Sequence, residues 1–345
     1  MEVLLEKYPD YTATVTTVTL AELVDIIIEK EKQIRVSESI SNVVKLCESG
    51  DFDAACSIFG LELPDQAKAT VVDESNFDVR AFIADTEGKG SPFGIAPIDE
   101  SFGGFKAGQL ITLLGRQKSC KSTLLLNSAI QSWRDGYSVL FFSVEMNADL
   151  LKKKIYAIGA KVSQSRLQRN DLHSSEWDRV NNFQEAFNED DDPRFHISEK
   201  HSVITVEDVR KEIKRYTPHV VYIDGFNFMY DPQMKAMTTD WKANENVSAA
   251  LKSLCLDEED ARIVVAAQVQ EKQYTKKLGV EAASIMAGTG LLKASDLMIG
   301  LSKEGNILTL NCPLSRYEAF DPVKAEVDWN ESSFLVIPPS DVATI

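Results

Sequence analysis

Along the chain, short apolar runs that stop at a polar residue alternate with stretches whose apolar positions recur at helical spacing. Residues 111–114, 137–143, 219–223 and 263–267 are runs of strand length bounded by turn residues. Weaker runs at 195–198, 296–301 and 307–312 predict further strands. Helical patterns follow position 124 and cover 149–158, 174–187, 206–216 and 247–260. This order predicts an α/β fold with a mainly parallel sheet flanked by helices.

The pattern changes upstream. Residues 1–62 carry helical spacing at 20–29 behind Thr19, at 37–47 and at 53–59, which predicts a small N-terminal helical region. Residues 63–90 are polar and turn-rich, except that Phe77, Val79, Phe82 and Ile83 form one apolar face of a short helix. An isolated face of that kind must be buried somewhere, and a neighbouring subunit is the expected place. Residues 91–345 make the main domain. No internal repeat or low-complexity tract is visible.

Composition narrows the function classes. Over 345 residues the formal charge is −16, which argues against a protein that coats nucleic acid non-specifically. It leaves room for a local basic channel, so any nucleic-acid contact must rest on position. The five cysteines and four histidines show no zinc-type spacing, and the cysteines are expected to be reduced and mostly buried. No apolar run reaches the ~18 residues that span a bilayer, and no basic, cleavable leader is visible. No membrane contact is expected, and the cytoplasm is the expected location.

The chemistry begins at residues 108–123, where a strand enters a Gly-Arg-Gln-Lys-Ser-Cys-Lys-Ser-Thr loop and then a helix. Such a loop cradles nucleotide phosphates on its backbone N–H groups, reaches them with its lysine and offers a hydroxyl to Mg²⁺. Gly115, Arg116, Lys118, Ser119, Cys120, Lys121, Ser122 and Thr123 are the candidate nucleotide contacts. Cys120 stands where the pattern has a second glycine, at a position where the backbone runs close to the phosphates and can require positive φ. Glu145 follows the 137–143 strand and is placed to orient or deprotonate the attacking water. Asp224 ends the next strand, positioned to hold Mg²⁺ opposite Ser122. Gln268 ends another, either as a sensor of the terminal phosphate or as a solvated amide. Lys272, Lys276, Lys277 and Lys293 surround a glycine-bearing loop that is locally basic or simply solvated, and Arg316 is either a finger for a neighbour's nucleotide or a surface ion-pair partner.

Taken in order, Gly94-Ile-Ala-Pro-Ile-Asp99, Gly103-Gly-Phe, the phosphate loop, Ser143-Val-Glu-Met146, Asp224, Gln268, Gly288-Thr-Gly290 and Ala294-Ser-Asp296 resemble the ATPase domain of the ring-forming, DnaB-like replicative helicases, in a phage-type version. The resemblance covers residues 91 to about 335. It implies a RecA-like core that uses ATP and Mg²⁺, with Lys121 and Ser122 on the nucleotide, Glu145 as base and Asp224 on the metal. It further implies that Gln268 couples hydrolysis to DNA, that the loop lysines grip single-stranded DNA, and that Arg316 acts in trans within a homohexamer moving 5′ to 3′. A primase, loader or polymerase of a replisome would be partners, and for a phage-type member the location would be an infected host cell. Two departures stand out: Cys120, and Leu314 where the family commonly carries the lysine of a Lys-x-Arg pair. A filament-forming recombinase and a regulatory ATPase without a DNA substrate are the competing readings.

Overall fold

The structure, a computed structural model, describes residues 30, 41–45, 90–144, 146–188, 194–198, 203–257, 261–269, 289–317 and 319–338. The chain forms two compact units, Met1–Val79 and Arg80–Ile345. In the first unit the described residues are Lys30 and 41–45, all helical, the latter inside the stretch expected to be helical at 37–47. The expected helices at 20–29, 53–59 and 77–83, Glu145, and the lysines 272, 276 and 277 lie outside the described residues.

The second unit is built on a sheet with nine strands among the described residues. In chain order they are β1 (Leu110–Gly115), β2 (Val139–Ser143), β3 (Phe195–Ser198), β4 (Val220–Asp224), β7 (Arg262–Gln268), β8 (Leu297–Glu304), β9 (Ile307–Ser315), β10 (Val323–Asp328) and β11 (Ser333–Val336), while β5 (Tyr230–Asp231) and β6 (Ala236–Met237) form a separate hairpin. Across the sheet the order is β11-β10-β9-β8-β1-β7-β4-β2-β3. From β8 to β3 all pairings are parallel, and β9, β10 and β11 are added antiparallel. Strands β1, β2 and β4 are buried along their whole length, as parallel strands covered on both faces are.

Alternation along each strand sends side chains to two cores. Ile111, Leu113, Phe141, Tyr222 and Val264 face one core, with helices α2 (Lys121–Arg134), α3 (Ala148–Gly159) and α5 (Ser174–Asn188) packed over it. Leu110, Leu114, Phe142, Ile223 and Val265 face the other, under α6 (Val206–Tyr216), α7 (Trp241–Asp257) and α8 (Thr289–Ala294). The short helices α1 (Ala96–Phe102) and α4 (Gln164–Gln168) sit at the ends of this frame.

Polar groups fix the registers. Asp99 accepts from the N–H groups of Phe93 (2.5 Å) and Gly94 (2.8 Å), so the Gly94–Asp99 motif closes a turn. Asp296 accepts from Leu110 N at 2.7 Å and pairs with Lys252 at 2.8 Å, and Ser295 Oγ lies 2.7 Å from Thr112 Oγ1, so the Ala294-Ser-Asp296 motif ties β8 to the start of β1. A buried hydroxyl cluster locks α2 to β4: the Tyr222 hydroxyl lies 3.0 Å from Ser128 Oγ and 2.8 Å from Ser132 Oγ, and burial pushes the Tyr222 phenol up to about 12. Among the described residues Cys255 is buried and Cys120 and Cys312 are half-buried, all three as free thiols, while Cys47 and Cys56 lie outside the described residues.

Candidate nucleotide-binding site

Register brings the strand ends together. Gly115 is level with Gln268 on one side and Leu301 on the other, Asp224 is level with Ala266, and Ser143 is level with Asp224. All stand at the carboxyl edge of the parallel sheet, where open α/β folds bind ligands. A cleft of about 540 Å³ opens there, lined among others by Cys120, Lys121, Ser122, Asp224 and Gln268.

The loop has the backbone that phosphate binding requires. Lys118 (φ 63°) and Cys120 (φ 64°) both adopt left-handed backbone, and Cys120 is the N-cap of α2. Left-handed residues in such a turn aim successive N–H groups into a concavity suited to anions, and α2 adds its positive dipole end. The glycine of the usual pattern is thus replaced without a change of conformation: the cysteine bears the strain that glycine would avoid. Gly115 has no such latitude, because a Cβ there would lie 2.5 Å from Ser119 Oγ and 3.0 Å from Leu301 Cβ.

Cys120→Gly is expected to raise stability by about 0.5–1 kcal/mol, the relief of left-handed strain minus the added freedom of the unfolded chain. Cys120→Val, β-branched at positive φ, is expected to weaken both stability and nucleotide binding. Thermal melts with and without ATP check both. Burial pushes the Cys120 thiol up, outweighing the pull of Lys303, Lys154 and Lys121, so it reacts sluggishly with iodoacetamide at neutral pH.

Lys121 Nζ donates to the carbonyls of Gly115 (2.9 Å) and Arg116 (2.6 Å), curled over the loop it would serve. Ser122 Oγ donates to Asp224 Oδ1 at 3.0 Å. A hydroxyl and a buried carboxylate converging at that distance are hard oxygen donors that fit Mg²⁺, which binds through one or two protein oxygens and completes its shell with phosphate and water. Ser119 is buried and closes the loop onto Arg116 O at 2.7 Å, Thr123 is buried in the first turn of α2, and Arg116 and Lys118 are exposed.

The remaining candidates separate. Gln268 lines the cleft, and its backbone N–H donates to Asn227 Oδ1 at 2.8 Å. Lys293, exposed on α8, pairs with Glu245 at 2.8 Å. Arg316 lies elsewhere: Ser315 is level with Leu297, at the amino end of β8, whereas Gly115 is level with Leu301. Arg316 follows opposite Asp296, so at about 3.3 Å per residue it lies about 16 Å down the strands from the level of Gly115. It pairs there with Asp296 at 3.4 Å and donates to Lys293 O at 3.3 Å.

Sequence reasoning missed Asn227, Lys154, Lys303 and Trp329, all of which line the cleft. Lys303 Nζ stands 5.2 Å from the centre of the Trp329 ring, whose indole N–H donates to Asn306 Oδ1 at 3.3 Å. Only Lys154 carried a signal, as a lysine on the inward face of its helix beside Leu151 and Ile155.

Comparison with known proteins agrees with this geometry. The DnaB-like helicase C terminal domain family matches residues 90–290. Two curated relatives, both replicative DNA helicases DnaB from Helicobacter pylori, are 23% identical over 126 residues (strain ATCC 700392 / 26695; 36% of this chain, 25% of the relative) and 26% identical over 91 residues (strain J99 / ATCC 700824; 26% and 19%). The matches thus span a quarter or less of those relatives. Among solved structures, an ATPase domain superposes with a TM-score of 0.65 at 15% identity, covering 75% of this chain and 95% of that one. A DnaB-like replicative helicase, solved with its interactions with primase, gives 0.66 at 17% identity, covering 94% and 81%. The fold of the second unit is the RecA-like one, a mainly parallel sheet flanked by helices.

Proposed function

Since the chain belongs to the DnaB-like helicase C-terminal domain family, we propose that it is an Mg²⁺-dependent ATPase that moves along single-stranded DNA as a homohexameric replicative helicase. The observation that carries this reading is the convergence of Lys121, the Ser122–Asp224 pair and Gln268 at one edge of the sheet. The loop N–H groups and Lys121 hold the β- and γ-phosphates. Ser122 and Asp224 would hold Mg²⁺, which would neutralise charge on those phosphates. Glu145 orients and deprotonates the attacking water. Gln268, anchored through Asn227, passes the state of the terminal phosphate to residues 270–288. Lys272, Lys276, Lys277 and Lys293 grip the DNA backbone, and Arg316 reaches a neighbour's nucleotide.

Movement 5′ to 3′, a primase, loader or polymerase partner, an N-terminal helical region over 1–62 and a docking helix within 63–90 complete the proposal, resting on family resemblance. No helix of the described residues is long and apolar enough to cross a membrane.

ATP hydrolysis with and without single-stranded DNA tests the reading. Several-fold stimulation, lost steeply as salt rises, is expected. No stimulation and no DNA binding at low salt would favour a regulatory ATPase, and open filaments in place of closed six-membered rings would favour a recombinase.

A further inference from the structure

We infer that Lys154, reaching the cleft from α3, is a second cation of the ATP site, acting within the same chain on the terminal phosphate. The inference rests on the nucleotide reading above and adds a residue that the loop motif does not contain.

Three consecutive lysines occupy 152–154 on α3. Lys152 and Lys153 are exposed, whereas Lys154 is partly buried and lines the cleft with Cys120 and Asp224. Helical geometry fixes this direction, because Leu151 and Ile155, three residues before and one after, are 1% exposed and hold that face against the core. Helix α3 itself is anchored directly after β2 by Asn147, whose Oδ1 accepts from Leu150 N at 2.8 Å.

Among the described residues the Lys154 ammonium makes no hydrogen bond or ion pair. Burial draws its pKa down, while the charge of Asp224 and then Cys120 act in the other direction through space. A partly buried ammonium without a direct partner is costly to the fold, and such costs concentrate where a ligand will relieve them. The charge that could relieve it belongs between Asp224 and the loop, where the Ser122–Asp224 pair places the metal and hence the outer phosphates. Once Mg²⁺ neutralises Asp224, the γ-phosphate is the anion left for Lys154.

Position 314, two before Arg316, is leucine, so the charge brought by a neighbour through this strand end is that of one arginine. Lys154 supplies positive charge in cis.

Lys154→Met and Lys154→Arg test the inference through three readouts. With fluorescent mant-ADP and mant-AMPPNP as probes, Lys154→Met is expected to bind the diphosphate within about 3-fold of wild type and the triphosphate analogue about 10-fold more weakly, a difference of about 1.4 kcal/mol. Its kcat is expected to fall by at least about 10²-fold, as for a lost transition-state donor. Lys154→Arg is expected to recover most of the triphosphate preference. The unliganded Lys154→Met protein is expected to melt at or above the wild-type temperature, because it loses a buried unpaired charge. A lowered melting temperature, equal weakening of both probes, or an unchanged kcat would overturn the assignment in favour of a structural lysine. If wild-type protein binds neither probe, the nucleotide reading itself fails, which is a separate outcome.

Discussion

Lys121→Ala is expected to abolish ATP turnover, with kcat/KM at least about 10³-fold below wild type, while the fold persists. Lys121 Nζ rests on the carbonyls of Gly115 and Arg116, at the mouth of a loop whose left-handed residues aim backbone N–H groups at the phosphates. In the proposed mechanism this ammonium would move from those carbonyls onto the outer phosphates and stabilise the charge that develops there in the transition state. Its hydrogen bond to Gly115 O is part-buried and that to Arg116 O exposed, so losing both lowers stability by about 1–2 kcal/mol. Steady-state hydrolysis together with thermal melts therefore separates the two effects. Near wild-type turnover in a well-folded Lys121→Ala protein would remove the lysine from the mechanism.

The second large effect is expected at Arg316. Arg316→Ala should lose about 10³-fold or more in kcat, the range seen for arginines that reach a phosphoryl-transfer site, while binding ATP as wild type does. Stability should hold, because Asp296 keeps Lys252 at 2.8 Å and the Leu110 N–H at 2.7 Å when the 3.4 Å contact to Arg316 goes. Just beyond the amino end of β8, whereas Gly115 is level with Leu301 in its middle, Arg316 is placed away from its own loop. Mixing inactive Lys121→Ala and Arg316→Ala proteins should then restore part of the activity, since some interfaces pair an intact loop with an intact arginine. No recovery in mixed assemblies would count against action in trans.

The frame was legible because parallel strands buried on both faces are written as continuous apolar runs that stop where the edge meets solvent. Thus the runs ending at Asp224 and Gln268 disclosed both strand and site. Strand β3 and helix α6 fall at the expected residues, and α6 announces itself through Thr205 and Asp208, whose side chains cap each other's backbone N–H groups. Helix α7 begins six residues before the expected 247, at Trp241, because residues 241–246 lack a continuous apolar stripe and the start is set by Asp240, which accepts from Lys242 N and Ala243 N. Strand β10 alternates Val323, Ala325 and Val327 with Lys324, Glu326 and Asp328, a half-buried pattern hidden by its charge. The cleft residues Asn227, Lys303 and Trp329 could not be read in advance, because segments distant in sequence, strand β8 among them, bring them to the cleft. Cys120 was legible as an oddity, but only the backbone shows that it keeps the conformation a glycine would have had.

If Arg316 acts in trans, its distance from the phosphate loop also makes activity depend on concentration. A donor edge and an acceptor edge on one chain make a head-to-tail contact, which a two-fold dimer cannot satisfy at both ends. If Arg316 serves the next chain's nucleotide, an isolated chain has no complete catalytic centre and an open row always has one centre fewer than its chains. Only closure into a ring makes the two numbers equal. Specific activity per chain should accordingly rise with protein concentration, steeply through the assembly threshold, and then level off once rings predominate.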